Sequence, residues 1–532
     1  MGLRARIIAW GMVLGIWSAT ASVAGADEVR ILRSDGAEVV GALTSFEDGV
    51  YVVQTPAGEI RIEAGKVAKL EMLDVSKTLG AEAGRPDATA GDPPPMRSQS
   101  DLSGGTLSLS GSRALGEMAV RHLIEGYALR NGASKPVWGQ RDGGKDRTFV
   151  AQTGKDKVFS AEVRLRGTAG GVEDLISGAA EIAMLERPMT ADEAKRVAGA
   201  GLGDPLQPDQ ETVVGPSAVM VLVHPSNPVK RLSMVQLADV FAGRIRNWNE
   251  IGGANRRIQV LVPHPGSALF DAVKSGLGKD LDIMPSARRL GSSLETADLA
   301  GADPAAIGLA HSDYRGNATA LSLSSSCGLL HEPSEFEIAS EAYPFGSRLV
   351  LYATNKASKQ VKDFVAYARS SEAQRLLQEK GFVSLTPVLA AKGAVRFDRT
   401  SAAKMTGASS RFADVVGAFV ENAARLSLTF RFNGQSGALD ARALSDLDRL
   451  VAYEKSGALA NRTLALVGYW NSTGDFTDDV NQSKARAVVV ADALKLKGLN
   501  IERLFGFGPL LPVECDGLGG VNRNRRVEVW IE

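Results

Sequence analysis

Cysteine and histidine are scarce in this chain. Its 532 residues include two Cys and five His, and the histidines show neither His-x-x-x-His nor His-Glu-x-x-His spacing. A protein zinc site draws three or four ligands from such residues, usually at short spacings. A Gly-x-Ser-x-Gly elbow, a P-loop and a dinucleotide fingerprint are also missing. We therefore expect no metal, no cofactor and no enzyme activity, and interpret the chain as a binding protein.

Net charge and long apolar runs are missing as well. Lys+Arg and Asp+Glu are balanced at 61 each, so there is no basic excess of the kind that attracts nucleic acid. The apolar runs fall short of the roughly 20 residues that a membrane-spanning helix needs, so we expect no stable membrane insertion. With 44% hydrophobic and 23% charged residues, the composition is that of folded globular protein. The length predicts several domains.

The first 26 residues have the pattern of an export signal. Arg4 and Arg6 precede an apolar stretch at 7–17, and small residues follow at 24–26. This predicts a cleaved signal peptide, 1–26, and a periplasmic location, with a membrane anchor as the alternative. In that oxidising compartment Cys327 and Cys515 are expected to form a disulfide, although two separate buried thiols are the other interpretation.

Composition and periodicity divide the remaining chain into five segments. Alternating runs broken by turn dipeptides predict a small SH3-like or Sm-like β-barrel at 27–75. Residues 76–105 lack a hydrophobic period and predict a disordered linker. Strands alternating with amphipathic helices predict an α/β module at 106–390. A linker or helical connector, 391–424, then leads to a βαβαβ sandwich of the α+β class at 425–532.

Short stretches of the middle segment carry a family resemblance. They are residues 110–112, 178–183, 223–228, 237–253 and 303–308. The string Phe-Ala-Gly-Arg-Ile, then Asn-Trp, then Gly-Gly within 237–253 is the most specific of them. With these features the segment 106–390 resembles the solute-binding proteins of phosphate ABC transporters. The resemblance implies a two-lobed α/β periplasmic-binding-protein fold, phosphate or a similar anion as ligand, and an ABC permease as a candidate partner.

The resemblance also implies an anion site without a metal. Such proteins hold an oxyanion with the backbone N–H groups of helix N-termini and with Ser and Thr hydroxyls. The candidate anion-binding residues are Ser110, Gly111, Ser112, Thr168, Gly170 and Ser267. Taken alone, Gly and Ser near helix starts are equally typical of helix caps. The loop before Ser267 lacks the Arg-Asp pair of the family, and Glu186 stands where the family often has Ser, which implies a carboxylate facing the site.

The last domain has a second resemblance. Residues 467–474, 479–487 and 524–528 resemble the OmpA-type peptidoglycan-binding domain. In that family an Asp and an Arg bind the diaminopimelate of the peptide stem. Arg486 matches the Arg, and Asn471 stands at the position of the Asp, so both are candidate peptidoglycan-binding residues. The alternatives are a solvated helix residue for Arg486 and a turn-forming residue for Asn471.

Two functions are compatible with these features. One is a periplasmic solute-binding protein for phosphate or a similar anion, associated with the cell wall or outer membrane through its OmpA-like domain. The other is a non-transport envelope scaffold or sensor, in which the solute-binding fold has lost its small ligand. Whether residues 106–390 bind a small anion distinguishes the two.

Overall fold

The computed structural model describes residues 27–33, 38–47, 50–55, 58–63, 66–72, 105–144, 146–153, 156–265, 267–278, 281–433, 437–459, 462–515 and 521–532. The predicted signal peptide lies outside these ranges. So do residues 73–104, which include most of the predicted linker. The chain forms two compact units, Met1–Asp87 and Ala88–Glu532.

The first unit contains a five-stranded antiparallel sheet. Its strands are β1 (Asp27–Arg33), β2 (Glu38–Glu47), β3 (Val50–Thr55), β4 (Gly58–Glu63) and β5 (Val67–Met72). They pair in the order β4-β3-β2-β1-β5. Ile31, Val53 and Ile62 form a small core on one face, because alternate residues of a strand point to the same side. Closure of this sheet into an SH3-like barrel stays a prediction.

The second unit begins with a lobe built on a mixed sheet. Its strands are β6 (Thr106–Gly111), β7 (Lys135–Arg141), β8 (Asp146–Thr153), β9 (Asp156–Arg164) and β10 (Ile182–Leu185). Its helices are α1 (Arg113–Glu117), α2 (Ala119–Arg130), α3 (Gly167–Ile176) and α4 (Ala191–Gly199). β6 pairs in parallel with both β9 and β10. The loops that follow these three strands therefore lie at one edge of the sheet.

A second lobe follows in the chain. Its strands are β12 (Arg231–Ser233), β13 (Gln259–Pro263), β14 (Arg288–Leu290), β15 (Ala306–His311), β16 (Thr319–Ala320), β17 (Ser322–Ser324) and β18 (Leu330–His331). Its helices are α5 (Met234–Phe241), α6 (Ala268–Leu277), α7 (Ser293–Ala302) and α8 (Glu335–Ala339). β13 pairs in parallel with β14 and β15, so the loops after β13 and β15 share an edge.

Two long strands connect the lobes. These are β11 (Glu211–Val223), which is buried over its whole length, and β19 (Gly346–Ala353). The first part of β11 pairs with β19, which in turn pairs with β10, whereas residues 219–223 pair with β15. Helices α9 (Lys359–Arg369) and α10 (Ser371–Glu379) return to the first lobe, and each lobe has its own hydrophobic core. The predicted two-lobed α/β architecture is confirmed.

The C-terminal domain is a four-stranded sheet with helices. Its strands are β20 (Ala424–Arg431), β21 (Leu464–Tyr469), β22 (Arg503–Gly506) and β23 (Arg526–Ile531). Its helices are α13 (Ala441–Lys455), α14 (Phe476–Leu496) and α15 (Val521–Asn524). The strand order is β20-β23-β21-β22. The structure adds β22 to the predicted strands, because four residues are too few to show a clear alternation.

The connector before this domain contains two further helices, α11 (Arg399–Thr406) and α12 (Ser410–Asn422). Val416 and Val420 of α12 are buried in one hydrophobic cluster with Val467 and Trp530. The connector helices therefore cover one face of the C-terminal sheet rather than spacing it away from the lobes.

A disulfide ties the second lobe to the C-terminal domain. Cys327, in the loop after β17, is bonded to Cys515, which lies 188 residues later in the chain. The predicted pairing is confirmed. Because both cysteines are used in this bond, neither remains as a thiol.

An ionic cluster connects the same two regions, and we call it the Glu341 joint. The Glu341 carboxylate accepts hydrogen bonds from Arg348 of β19 at 2.5 Å, Arg431 of β20 at 2.8 Å and Arg442 of α13 at 2.6 Å. Arg348 also pairs with Asp440, the N-cap of α13, at 2.9 Å. Burial acts to raise the pKa of the Glu341 carboxyl, but the three guanidinium groups hold it well below its usual range.

Candidate functional site

The loop between β6 and α1 lies where the first lobe meets the second, beside the Glu186–His311 contact, and we call this junction the cleft. The Ser112 hydroxyl caps α1 by accepting from the Leu115 N–H at 3.1 Å, and the Ser112 N–H donates to the Met184 carbonyl at 2.8 Å. Gly111 has a φ of 143°, and a Cβ there would lie 2.1 Å from the Met184 oxygen. A glycine is therefore required at position 111, because β6 and β10 approach each other closely there. The Ser110 hydroxyl donates to Asp174 at 2.6 Å.

The N-terminus of α3 lies directly against this loop. A Cβ on Gly171 would be 2.7 Å from the Gly111 Cα. At Gly170 a Cβ would be 2.7 Å from the Cβ of Arg166. The Thr168 hydroxyl has no hydrogen-bond partner among the described residues, although the residue is only 8% exposed. A buried hydroxyl without a partner is costly, so its presence at a helix N-terminus is a feature of interest.

Glu186 and His311 face each other between the lobes. Glu186 follows β10 of the first lobe, and His311 ends β15 of the second. Their atoms Oε1 and Nε2 lie 3.1 Å apart, with side-chain exposures of 10% and 7%. Burial acts to raise the pKa of the Glu186 carboxyl, but His311 and a hydrogen bond from Ser112 bring it below its ordinary value. Burial acts to lower the pKa of His311, and Glu186 raises it above its ordinary value.

Hydroxyl groups and a second carboxylate surround this pair. The Ser217 hydroxyl of β11 and the Ser312 hydroxyl donate to Asp313 Oδ1 at 3.5 and 3.3 Å. Ser347 of β19 donates to the Glu186 carbonyl. Burial raises the pKa of Asp313 to about 6, and the negative charge of Glu186 adds to the rise. The base of the cleft therefore holds two carboxylates and one imidazole.

Ser267 serves as a helix cap in this structure. Its hydroxyl accepts from the Phe270 N–H at 3.2 Å and donates to the His264 carbonyl at 2.9 Å. Since β13 and β15 are parallel neighbours, this loop lies at the same sheet edge as His311. The contacts bring together Ser112, Glu186 and His311, but they do not join Ser267 to them.

The predicted peptidoglycan-binding residues lie in one cluster of the C-terminal domain. The Asn471 Oδ1 atom accepts from Arg525 Nε at 2.6 Å. The Arg525 guanidinium lies 4.3 Å from the centre of the Trp470 ring, and that of Arg486 lies 5.6 Å from it. Arg486 also lies 4.4 Å from the centre of the Phe432 ring. Asn471 and Arg486 therefore flank the same tryptophan, in a setting of guanidinium and aromatic groups.

Comparison with known proteins concerns the two lobes. Residues 147–372 match the family model described as the PBP superfamily domain. The chain is 28% identical over 229 residues to the phosphate-binding protein PstS of Bacillus subtilis, which covers 42% of this chain and 71% of that protein. It is 22% identical over 228 residues to the phosphate-binding protein PstS of Borreliella burgdorferi, covering 41% and 78%. The lobes have the periplasmic-binding-protein fold.

A solved structure is also similar to this chain. The ABC-type phosphate transport receptor from Vibrio cholerae has a TM-score of 0.39 and 21% identity, covering 52% of this chain and 98% of that chain. The family model ends at residue 372 and begins at residue 147. It therefore extends neither to the C-terminal cluster around Trp470 nor to the N-terminal sheet.

Sequence reasoning missed three cleft residues of the periplasmic-binding-protein module. His311, Ser312 and Asp313 follow the buried apolar run of β15 directly. A polar triplet at the end of such a strand is a signal that was available, since ligands of α/β proteins bind at the carboxyl ends of strands. Ser217 was not identifiable in this way, because it lies inside a strand that is buried throughout.

Over the described ranges, groups of three or more His, Cys, Asp or Glu side chains arranged to hold a metal ion were not found. In the same part of the chain, no helix combines the length and the apolar character needed to cross a membrane.

Proposed function

We propose that this protein is a periplasmic solute-binding protein for a small oxyanion, phosphate or a similar anion, and that its C-terminal domain associates with peptidoglycan. The relatives named above are phosphate-binding proteins, which supports an anion as the ligand and a binding role rather than an enzymatic one. An ABC permease is the partner that this role requires. Both binding sites belong to the same compact unit of the chain.

The observation that carries the anion site is the Thr168 hydroxyl. Within the described ranges it is buried without a partner at the N-terminus of α3, a helix of ten residues, and this terminus packs against the loop that contains Ser112. Helix N-termini present unpaired N–H groups and positive potential, which favour an oxyanion. An anion oxygen placed there satisfies both the hydroxyl and the helix terminus.

The anion proposal is tested by calorimetric titration of the mature chain with phosphate, sulfate and small carboxylates. We expect one of these anions to bind, and Thr168→Val to weaken its binding by about 5- to 150-fold, which corresponds to the loss of about 1–3 kcal/mol for one hydrogen bond in a buried site. Thr212→Val is a matched control, because the Thr212 hydroxyl is also buried and has no partner in the part of the chain that the structure describes, but lies on β11. The absence of heat with every anion contradicts the proposal.

A second candidate function is supported by the Glu186–His311 pair. If this internal ion pair fills the cleft permanently, the lobes serve as an envelope scaffold or sensor without a small ligand. The Glu341 joint and the disulfide, which tie the lobes to the C-terminal domain, are in keeping with such a role. The titration separates the two candidates, because the scaffold predicts no anion binding.

The wall association is tested by sedimentation with purified sacculi. Arg486 is half-buried between two aromatic rings at the proposed site. We expect Arg486→Ala to reduce retention, since a guanidinium binds carboxylates in a bidentate way, and Asn471→Asp to increase it by supplying a charge for an ammonium group. Arg503→Ala, at an exposed ion pair of the same domain, is the control. Unchanged retention in both site variants contradicts the proposal that this cluster binds peptidoglycan.

A further inference from the structure

The Glu186–His311 pair connects two lobes that have separate cores. Glu186 belongs to the first lobe through β10, and its carbonyl accepts from Ser347 on the crossover strand β19. His311 belongs to the second lobe, where its backbone pairs with Val219 on the other crossover strand, β11. The 3.1 Å contact between their side chains therefore lies at the base of the cleft, where the crossover strands leave one lobe and enter the other.

The partners of Glu186 are the groups that an oxyanion needs. The Ser112 hydroxyl, which caps α1, helps to lower the pKa of the Glu186 carboxyl, and His311 Nε2 lies 3.1 Å from Glu186 Oε1. Ser112 is itself a candidate anion ligand, and its loop packs against the N-terminus of α3. A carboxylate is a planar oxyanion, so Glu186 makes with these donors the contacts that a free anion makes.

We propose that Glu186 is an internal ligand of the cleft, which occupies the anion position and must be displaced before an external oxyanion binds. This inference rests on the proposed anion-binding function and names the residue that sets its affinity. An external anion takes over His311 and Ser112, while the Glu186 side chain swings away toward solvent. Glu186 is thus a specificity-determining residue: it excludes weakly bound anions and admits only those that bind these donors better than a tethered carboxylate does.

The charges around the Glu186–His311 pair indicate that Glu186 and an external anion compete for the same donors. Glu186 and Asp313 both face His311 from within the site, so two carboxylates surround one imidazole. The nearest guanidinium on the Glu186 segment, that of Arg187, is bound to Glu193 at 2.7 and 2.8 Å. An incoming anion therefore meets repulsion from Glu186 as long as that carboxylate stays charged and in place.

The test compares inorganic phosphate binding to the wild-type mature chain and to Glu186→Gln, by calorimetry near neutral pH. Gln keeps the size of the side chain and removes its charge, so we expect the variant to bind phosphate at least about 10-fold more tightly. Glu372→Gln is the matched control, because it breaks a Glu–Arg pair within the first lobe, between α10 and α2, and is expected to leave the affinity unchanged. If Glu186 only stabilised the fold, its replacement by Gln would not increase the affinity for phosphate.

The outcomes separate the inference from the function on which it rests. Phosphate binding that is equal or weaker in Glu186→Gln, with clear binding to the wild type, overturns the internal ligand and leaves the anion-binding function standing. A lack of binding by both proteins removes the proposed function and the inference with it. Binding by the variant alone supports both. Circular dichroism melting of each variant shows whether it is folded, and Glu186→Ser provides a second, smaller replacement if Gln fails that check.

Discussion

Glu341 and Glu186 are both carboxylates with little exposed surface that hold two parts of the molecule together, but their partners differ. Glu341 binds three arginines, two of which belong to the C-terminal domain. Glu186 binds one histidine across the cleft. Arginine stays charged at every physiological pH, whereas histidine changes its charge near neutrality. The comparison indicates a permanent connection at Glu341 and a reversible one at Glu186.

The backbone conformation at the two sites supports the same distinction between a permanent and a reversible connection. Glu341 has a φ of 57°, a conformation that L side chains rarely adopt. Its carbonyl oxygen accepts from Arg523 at 2.8 Å, in addition to the bonds to its carboxylate. The chain is therefore held in an unfavourable local conformation by contacts with the C-terminal domain. Glu186 lies at a strand end that shows no such strain.

The largest expected effect comes from breaking the permanent connection. Glu341→Gln leaves Arg348, Arg431 and Arg442 buried without their shared anion, and removing one partner of a buried ionic cluster costs about 3–5 kcal/mol. We expect the free energy of unfolding to fall by this amount in denaturant titrations. The exposed Glu335→Gln on α8 is the control, with an expected change within about 0.5 kcal/mol. A change of that small size for Glu341→Gln means that the joint does not stabilise the fold.

The Glu341 joint is an example of contacts that could not be predicted from the sequence. The three arginines lie 7, 90 and 101 residues from Glu341, and no periodicity relates such distant positions. The pairing of Asn471 with Arg525, 54 residues apart, is hidden for the same reason. By contrast, strand alternation and helical spacing are local, so the two lobes and most elements of the C-terminal sheet were predictable. In the cleft, Ser112 and Thr168 could be named as candidates from the family motifs. His311, Ser312 and Asp313 could be identified only once the strand topology was known.

A smaller effect separates the two connections by their pH dependence. The pKa of His311 is raised, so its contribution to stability is complete below its ordinary value of 6.5 and is lost as the pH rises through the raised pKa. The pKa of Glu186 is lowered, so its contribution is complete above 4.5 and is lost as the pH falls through the lowered pKa. Between these limits the pair is fully charged.

We therefore expect the stability difference between wild type and Glu186→Gln to be largest at about pH 5–6 and to shrink as the pH rises through the raised pKa of His311. The difference between wild type and Glu341→Gln is expected to change less over the same range, because arginine does not titrate there and only the neighbouring Glu211, with a pKa of about 7, does. Denaturant titrations of the three proteins across this pH series measure both differences. A constant difference for Glu186→Gln contradicts the view that this contact is reversible.

The smallest effect concerns Glu211, a third buried carboxylate, which lies on β11 and accepts from the Tyr352 hydroxyl at 2.9 Å. Burial raises its pKa from 4.5 to about 7, although Arg348 of the joint opposes this rise. A raised carboxyl pKa means that stability is lost as the pH rises from about 4.5 to 7, because the folded chain favours the protonated form. Glu211→Gln mimics that form, so we expect it to be about 1–3 kcal/mol more stable than wild type at pH 8 and nearly equal at pH 4. Equal stability at both pH values instead indicates that Arg348 neutralises Glu211 as it does Glu341, which extends the permanent connection into the crossover strands.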